Sequence, residues 1–144
     1  MIADRGGKTA GGGRLIGRVS RVVGPLVQAR GVKDAQMLEL AEVGADRLVG
    51  EIVRLDGERA ALQVYEDTTG LKPGEPIYGT GMPLSVELGP GLLGGIFDGI
   101  QRPLAAIRDA GGQYIRRGIH LPVLDRERTW RVAPRLRAGD PVRA

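Results

Sequence analysis

Two glycine-rich segments contain residues of the kind that hold phosphate groups. A nucleotide-binding loop needs glycines whose backbone amides surround the phosphates, followed by a lysine and by a Ser or Thr hydroxyl for magnesium. Gly7-Lys8-Thr9 supplies the end of this pattern, but Ile2 stands where its first glycine should be. The second segment, residues 89–104, has five glycines but no lysine, and no Ser or Thr follows its last glycine. Neither segment is therefore predicted to bind a nucleotide.

The acidic residues and the single histidine are weak candidates for catalysis or metal binding. Glu66 and Asp67 flank a predicted turn, where carboxylates are normally solvated, and Glu39 and Glu42 form a second acidic pair of the same general kind. His120 has no second histidine and no cysteine to complete a metal site. We therefore predict no catalytic residue, no nucleotide-binding residue and no metal ligand in this chain.

Short β-strands separated by turn residues are predicted from residue 14 onward. Asp56-Gly57 is typical of a tight hairpin, and broken alternation of the apolar residues between 49 and 55 predicts a β-bulge at Gly50. Many short strands joined by tight turns favour a closed barrel, because closure removes strand edges that would otherwise stay unpaired. The predicted strands cover 14–23, 26–32, 35–44, 47–57, 59–67, 77–78 and 83–88.

A short helix is predicted after these strands. Pro103 suits the first helical position, residues 104–110 give about two turns, and Gly111-Gly112 ends the helix. Trp130 is predicted to pack against the barrel or the helical segment. A new strand is predicted around Trp130–Val132.

These elements define the predicted organisation of the chain. The predicted fold class is mainly β: a small six-stranded closed barrel, a short helical linker and the start of a second β domain. The turn-and-strand pattern of residues 71–77 recurs at 136–142, close to the last residue, so we expect the chain to end inside that second domain. The predicted divisions are a flexible tail (1–13), the barrel (14–88), the linker (89–128) and the start of the second β domain (129–144).

Composition argues against disulfide-bonded, thiolate-metal and membrane-spanning classes of protein. Aromatic residues are scarce, which predicts a core of Val, Ile, Leu and Ala, and the lack of cysteine excludes disulfides and thiolate metal sites. No apolar run approaches the roughly 18 residues of a membrane span, and no signal peptide is recognised, so the chain is expected to be soluble and intracellular. Residues 21–100 are net acidic, and the excess arginine lies at the two ends.

Long contiguous segments carry a family pattern. They include QVYEDTTGLKPGEP (63–76) and GPGLLGGIFDGIQRPL (89–104). The wider matching segments are 22–44, 47–77, 80–104 and 124–130. They closely resemble the N-terminal part of the catalytic A subunit of V-type and archaeal-type (V/A-type) rotary ATPases, which couple ATP hydrolysis or synthesis to the transport of protons or sodium ions across a membrane.

The resemblance implies an assembly and a location. In the family three A and three B subunits alternate in a ring, and their six-stranded N-terminal barrels form its crown. The resemblance also implies that residues 129–144 are the start of a bulge-forming β insertion peculiar to the A subunit. ATP and magnesium bind in the nucleotide-binding domain that follows this insertion, none of whose residues matches this chain. We therefore expect a fragment that is inactive alone and has no cofactor of its own. Its expected partners are the B subunit and other ATPase subunits, and its expected location is cytoplasmic, peripheral to the membrane in the ATPase head.

The barrel exterior is expected to make the ring contacts. A rim of mixed charge sets the register between neighbours more than the affinity. The polar strand positions that are candidates to face a neighbouring subunit are Arg18, Arg21, Glu51 and Arg54.

An alternative interpretation is a standalone adaptor or binding barrel, such as an oligonucleotide-binding module. Such modules stack bases on aromatic side chains, and this barrel offers only Tyr65 and Tyr78. Its strands are also interpreted as net acidic, which would repel phosphate. No nucleic acid is therefore expected as a partner.

Overall fold

Six β-strands dominate the chain. The computed structural model describes residues 13–111, 117–133, 135 and 139. A 3-10 helix at Pro90–Leu92 follows the strands, and one α-helix, α1 (Leu104–Gly111), comes after it. No helix in these ranges is long and apolar enough to cross a membrane. The strands are β1 (Arg14–Val23), β2 (Leu26–Arg30), β3 (Glu39–Val43), β4 (Leu48–Asp56), β5 (Arg59–Val64) and β6 (Pro76–Pro83).

The strands form a closed antiparallel barrel, which confirms the predicted six-stranded closed barrel. Around the wall they follow the order β1-β2-β5-β4-β3-β6, and β6 pairs back onto β1. Gly24 and Gly57 have φ angles of 57° and 55°. A side chain would strain these positions, so glycine permits the two-residue connections from β1 to β2 and from β4 to β5.

Alternate strand residues line an aliphatic core. The pattern is regular in β2, where Val27 and Ala29 are buried between exposed neighbours. The core contains only Ile, Val, Leu and Ala, as the scarcity of aromatic residues predicts. Its largest fully buried side chains are Val19, Val27, Val43, Leu48, Ile52, Leu62 and Ile77.

The irregularity in β4 differs from its predicted position. The register between β4 and β5 shifts between Ile52 and Arg54, so the bulge predicted at Gly50 is wrong. Gly50 is needed for another reason: a Cβ there would lie 2.9 Å from the carbonyl oxygen of Gln63 on β5. The missing side chain lets the two strands approach closely.

The strand predicted at residues 83–88 is also wrong. β6 begins earlier, at Pro76, and ends at Pro83. It pairs with β1 on one side and with β3 on the other, so the closed barrel offers no free edge to another strand. The alternating residues Leu84, Val86 and Leu88, which suggested a strand, are all exposed.

The linker (89–128) has little regular structure. The predicted helix is confirmed by α1, whose first hydrogen bond runs from the Ile107 amide to the Pro103 carbonyl oxygen (3.0 Å). Trp130 lies beside Gly91. The guanidinium carbon of Arg128 lies over the Trp130 ring, 4.2 Å from the ring centroid. The strand predicted around Trp130–Val132 is not formed, because the described residues give this segment no strand to pair with.

Several sequence features lie outside the described residues. They are Gly7-Lys8-Thr9, the end of the helix at Gly112 and nearly all of the repeat at 136–142. The predicted divisions at 88 and 128 stay predictions.

Candidate functional site

Glu39 is a buried carboxylate at the contact between β3 and β6. The residue is 2% exposed, and its carboxylate accepts hydrogen bonds from the backbone amides of Gln36 and Gly81, both at 2.8 Å. A Cβ at Gly79 would collide with Glu39 Oε1 and lie 2.9 Å from Ile16 Cγ2. The carboxylate therefore occupies space that a glycine leaves open, and it has a structural role in the contact between β3 and β6.

Glu66 connects the barrel to the linker. It follows β5, and its side chain is 3% exposed. Oε1 accepts a hydrogen bond from the Val49 amide in β4 (3.0 Å). Oε2 accepts hydrogen bonds from the Arg102 guanidinium (2.8 Å) and from the Gly118 amide (2.8 Å). Three donors therefore occupy the two oxygens of this carboxylate.

Asp98 completes this connection, and we define the joint as Glu66, Asp98, Arg102 and Gly118. Asp98 Oδ1 accepts hydrogen bonds from the amides of Ile100 (3.1 Å) and Arg102 (2.8 Å), and Oδ2 accepts one from Arg102 Nε (2.7 Å). Burial acts to raise the pKa of Asp98, but these hydrogen bonds and the Arg102 charge outweigh it, so the pKa is lowered. Burial also opposes the charge on Arg102, yet the two carboxylates raise its pKa overall.

The other chemical candidates have local partners as well. Asp67 accepts hydrogen bonds from the Thr69 hydroxyl (2.7 Å) and amide (3.0 Å), which lower the pKa of this exposed carboxylate. His120 Nε2 lies 3.1 Å from the carbonyl oxygen of Arg47. Within the described ranges, no group of three or more His, Cys, Asp or Glu residues is arranged to hold a metal ion.

The four candidate contact residues lie on opposite sides of the barrel. Arg18 and Arg21 belong to β1, whereas Glu51 and Arg54 belong to β4. Two strands separate β1 from β4 in either direction around the wall. Glu51 accepts a hydrogen bond from the Tyr65 hydroxyl (3.1 Å); burial, this bond and the Glu51 charge raise the pKa of Tyr65. The structure therefore brings the candidates together as two pairs and not as one patch.

The glycine-rich segment at 89–104 forms a loop closed by its own contacts. Phe97 and Pro103 form a β-bridge. The side-chain amide of Gln101 accepts a hydrogen bond from the Glu87 amide and donates one to the Glu87 carbonyl oxygen, both at 2.7 Å. The loop places Arg102 against Glu66 and Asp98 against Arg102, so it positions the joint.

The sequence alone does not point to Arg47 or Arg102. Arg47 pairs with Glu42 (2.8 Å) and lies over the ring of Tyr78, 3.6 Å from its centroid. Arg102 meets Glu66 across 36 residues of sequence, which no local spacing predicts. The sequence offers one indication that Glu66 and Arg102 matter: they belong to the two stretches, 63–76 and 89–104, that carry the family pattern.

The fold and these contacts define a structural class: a closed β-barrel that holds a linker through a polar joint. Residues 19–81 match the family model of the beta-barrel domain of the ATP synthase alpha/beta family. Through these residues the barrel is identified as a beta-barrel domain of the ATP synthase alpha/beta family.

Similarity to individual proteins extends beyond the barrel. The chain is 59% identical over 127 residues to the A subunit of the A-type ATP synthase of Metallosphaera sedula, and 57% identical over 129 residues to that of Hyperthermus butylicus. The corresponding A subunit of Saccharolobus islandicus is 54% identical over 127 residues. Each match covers 88% of this chain, which spans 22% of the length of these curated relatives. The predicted resemblance to the N-terminal part of an A subunit is confirmed.

Proposed function

We propose that this chain is the barrel and linker of an A subunit and acts as an assembly module of an A-type ATP synthase. The observation that carries the proposal is the 59% identity to such an A subunit over 127 residues, a length that exceeds the barrel and takes in the linker. In the proposed assembly A and B subunits alternate in a ring, with the barrels as its crown. The ring is cytoplasmic and peripheral to the membrane.

The barrel geometry supports this proposal. A ring member must contact two neighbours through different surfaces. The pair Arg18 and Arg21 and the pair Glu51 and Arg54 lie on opposite strands of the wall, as two such contacts require. The joint fixes the direction in which the linker leaves the barrel, so that residues carried by the linker keep a defined orientation to the crown.

Nucleotide chemistry belongs, in this proposal, to other parts of the A subunit. No residue of this chain is assigned to ATP or magnesium, and the chain alone is expected neither to bind ATP tightly nor to hydrolyse it. An ATPase activity of the purified chain that a substitution within residues 14–144 abolishes would contradict this.

Association with the B subunit of the same ATPase tests the proposal. The purified chain and the B subunit are mixed, and the masses of the complexes are measured by sedimentation velocity. We expect complexes with one and with two B subunits per chain. R18E/R21E or E51K/R54E should each remove the larger complex and retain the smaller, because one face stays intact.

The matched control changes exposed charges outside both faces. Lys72 and Arg131 are exposed and lie outside the six strands, so K72E/R131E should leave both complexes unchanged. A B subunit that fails to bind the wild-type chain, or that binds all variants equally, would count against the proposal.

A further inference from the structure

Charge on the barrel wall is segregated by strand. The contiguous strands β1, β2 and β5 contain five arginines and no acidic residue. The other half of the wall, β4, β3 and β6, contains four acidic residues and one arginine. The strands are thus not net acidic, and that interpretation of the sequence is wrong. The five arginines are all exposed, and we call them the arginine face: Arg14, Arg18, Arg21, Arg30 and Arg59.

Three of these arginines form a row across adjacent strands. Arg18 lies directly opposite Arg30, and Arg30 lies directly opposite Arg59. Like charges in opposed positions destabilise a sheet, so the row brings no advantage to the fold by itself. Such an arrangement is favourable once negative groups bind to it.

The described barrel leaves much of this charge without compensation. Arg18 donates a hydrogen bond to the neutral carbonyl oxygen of Gly74 (2.9 Å). Asp56 is opposite Arg59 on β4, yet within the described ranges no carboxylate forms an ion pair with Arg30 or Arg59. The flanking Arg14, by contrast, pairs with Asp34 (3.2 Å). Of the four arginines of the face that form no ion pair within the described ranges, three belong to the row, and the fourth is Arg21.

A groove of about 420 Å³ runs beside the row. Arg18, Arg30 and Lys33 supply its basic lining, and Leu15, half of whose surface is exposed, adds an apolar part. The groove thus offers an acidic segment both charge pairing and some apolar contact.

We propose that the arginine face binds an acidic surface of a neighbouring B subunit, whose carboxylates pair with Arg18, Arg30 and Arg59. The inference rests on the proposed function, because it takes the occupant to be a subunit of the same assembly. Arginine matches carboxylates with two parallel hydrogen bonds, and such pairing relieves the repulsion within the row. The proposed pairing makes the ring contact at β1 electrostatic and extends that contact over β2 and β5.

A nucleic acid fits this surface less well than a protein carboxylate. Single-stranded nucleic acids need aromatic rings on which bases stack. The ring of Tyr78 is covered by Arg47, and the hydroxyl of Tyr65 bonds to Glu51 on the acidic half of the wall. The Tyr78 ring is thus already covered, and Tyr65 is held on the acidic half of the wall.

The double variant R30E/R59E tests the row while leaving Arg18 in place. Every chain in this comparison also carries E51K/R54E, which removes the contact at β4, so that titration calorimetry with the B subunit at low and at moderate salt reports the arginine face. We expect a loss of about tenfold or more, since each exposed pair contributes a modest amount, together with a weaker salt dependence. The control K72E/R131E makes the same change in net charge and should stay within about twofold of the wild type. R30Q/R59Q should lie in between, and far-ultraviolet circular dichroism checks that every variant is folded.

A peptide probe tests the chemistry without the B subunit. A labelled peptide of alternating Glu and Ser should bind the wild-type chain and lose binding to R30E/R59E, whereas its Gln-containing counterpart should bind neither. Single-stranded DNA that binds more tightly than this peptide and is lost in R30E/R59E would overturn the inference in favour of a nucleic acid. Self-association of the chain that R30E/R59E abolishes would overturn it in favour of a second copy.

The outcomes separate the inference from the proposed function. Equal binding of the B subunit to the wild type and R30E/R59E overturns the inference and leaves ring assembly standing. Failure of the B subunit to bind the wild-type chain overturns the proposed function, and with it the identity of the occupant. A salt-dependent loss of B-subunit binding that occurs in R30E/R59E and not in K72E/R131E supports both the inference and the proposed function.

Discussion

The barrel and the linker are stabilised by different forces. The barrel encloses thirteen buried aliphatic residues in one core. Among the described linker residues only Ile107 is buried, and Leu93 and Ile96 are 85% and 71% exposed. The linker is instead fixed by polar contacts, of which the joint and the Gln101–Glu87 pairing are the most complete.

This difference predicts a hierarchy of stability. Burial of apolar surface is the dominant favourable contribution in folding, whereas a hydrogen bond contributes about 1 kcal/mol net. A segment held by a few directional contacts opens at lower free energy than a continuous core. The linker should therefore detach from the barrel before the barrel unfolds.

The largest effect is expected from removing core volume. Leu62→Ala should lower the free energy of unfolding by about 2–5 kcal/mol, because the side chain is fully buried and its removal leaves a cavity. The matched change in the linker, Leu93→Ala, should cost no more than about 0.5 kcal/mol, since that side chain is exposed. Urea unfolding followed by circular dichroism measures both. Equal losses of unfolding free energy in the two variants would show that the barrel and the linker do not differ in this way.

Breaking the joint should have the next largest effect and should act on the linker alone. Arg102→Met leaves the buried carboxylate of Glu66 and the partly buried carboxylate of Asp98 without their cation, at a cost of about 2 kcal/mol. Hydrogen exchange should rise at the amides of Ile100 and Gly118 while the strands keep their protection.

Arg108→Met serves as the control for this change. Arg108 pairs with Asp109 at an exposed position, so its loss should change stability by less than about 0.5 kcal/mol. If Arg102→Met lowered protection equally throughout the barrel strands, the joint would belong to the core's cooperative unit and the proposed hierarchy would be wrong.

The sequence predicts what depends on local pattern. β1 has the predicted bounds, because its apolar periodicity ends at the turn formed by Gly24. α1 starts at Leu104, one residue after the predicted first helical position at Pro103. The strand predicted at 83–88 fails because alternation alone does not reveal that β6 already has a neighbour on both sides.

Contacts between distant segments are not predictable in this way. The pairing of Arg18 with Arg30 depends on a register that a β-bulge between Val19 and Arg21 adjusts. The joint depends on barrel closure and on the folded linker loop together, because Arg102 and Glu66 belong to different regions. Polarity in the sequence predicts the candidate contact residues, but their division between two opposite faces follows only from the strand order.

A smaller effect is expected from a single methyl group. Gly79→Ala in β6 would force a Cβ against Glu39, which is held by two backbone amides, and against Ile16. Overpacking of this kind should cost about 1–2 kcal/mol. Gly99→Ala in the linker has no atom within 4 Å of the added Cβ, and should be neutral or stabilise the chain by a few tenths of a kcal/mol. Thermal unfolding compares the two, and a cost at Gly99 equal to that at Gly79 would indicate that the linker is as tightly packed as the barrel.

The smallest expected effect is the loss of the stability contributed by ionised Asp98 at acidic pH. Because the pKa of Asp98 is lower in the folded chain than its ordinary value of 3.8, the ionised form contributes stability above that value. The contribution is lost as the pH falls through the folded pKa. Amide chemical shifts of Ile100 and Arg102, which donate to Asp98, should therefore titrate with a midpoint below 3.8, and Asp98→Asn should abolish the transition. β2 and β5 contain no acidic residue, so their amides provide the internal reference. A midpoint at or above 3.8 would mean that the joint does not favour the carboxylate, and that the linker is held by something other than charge.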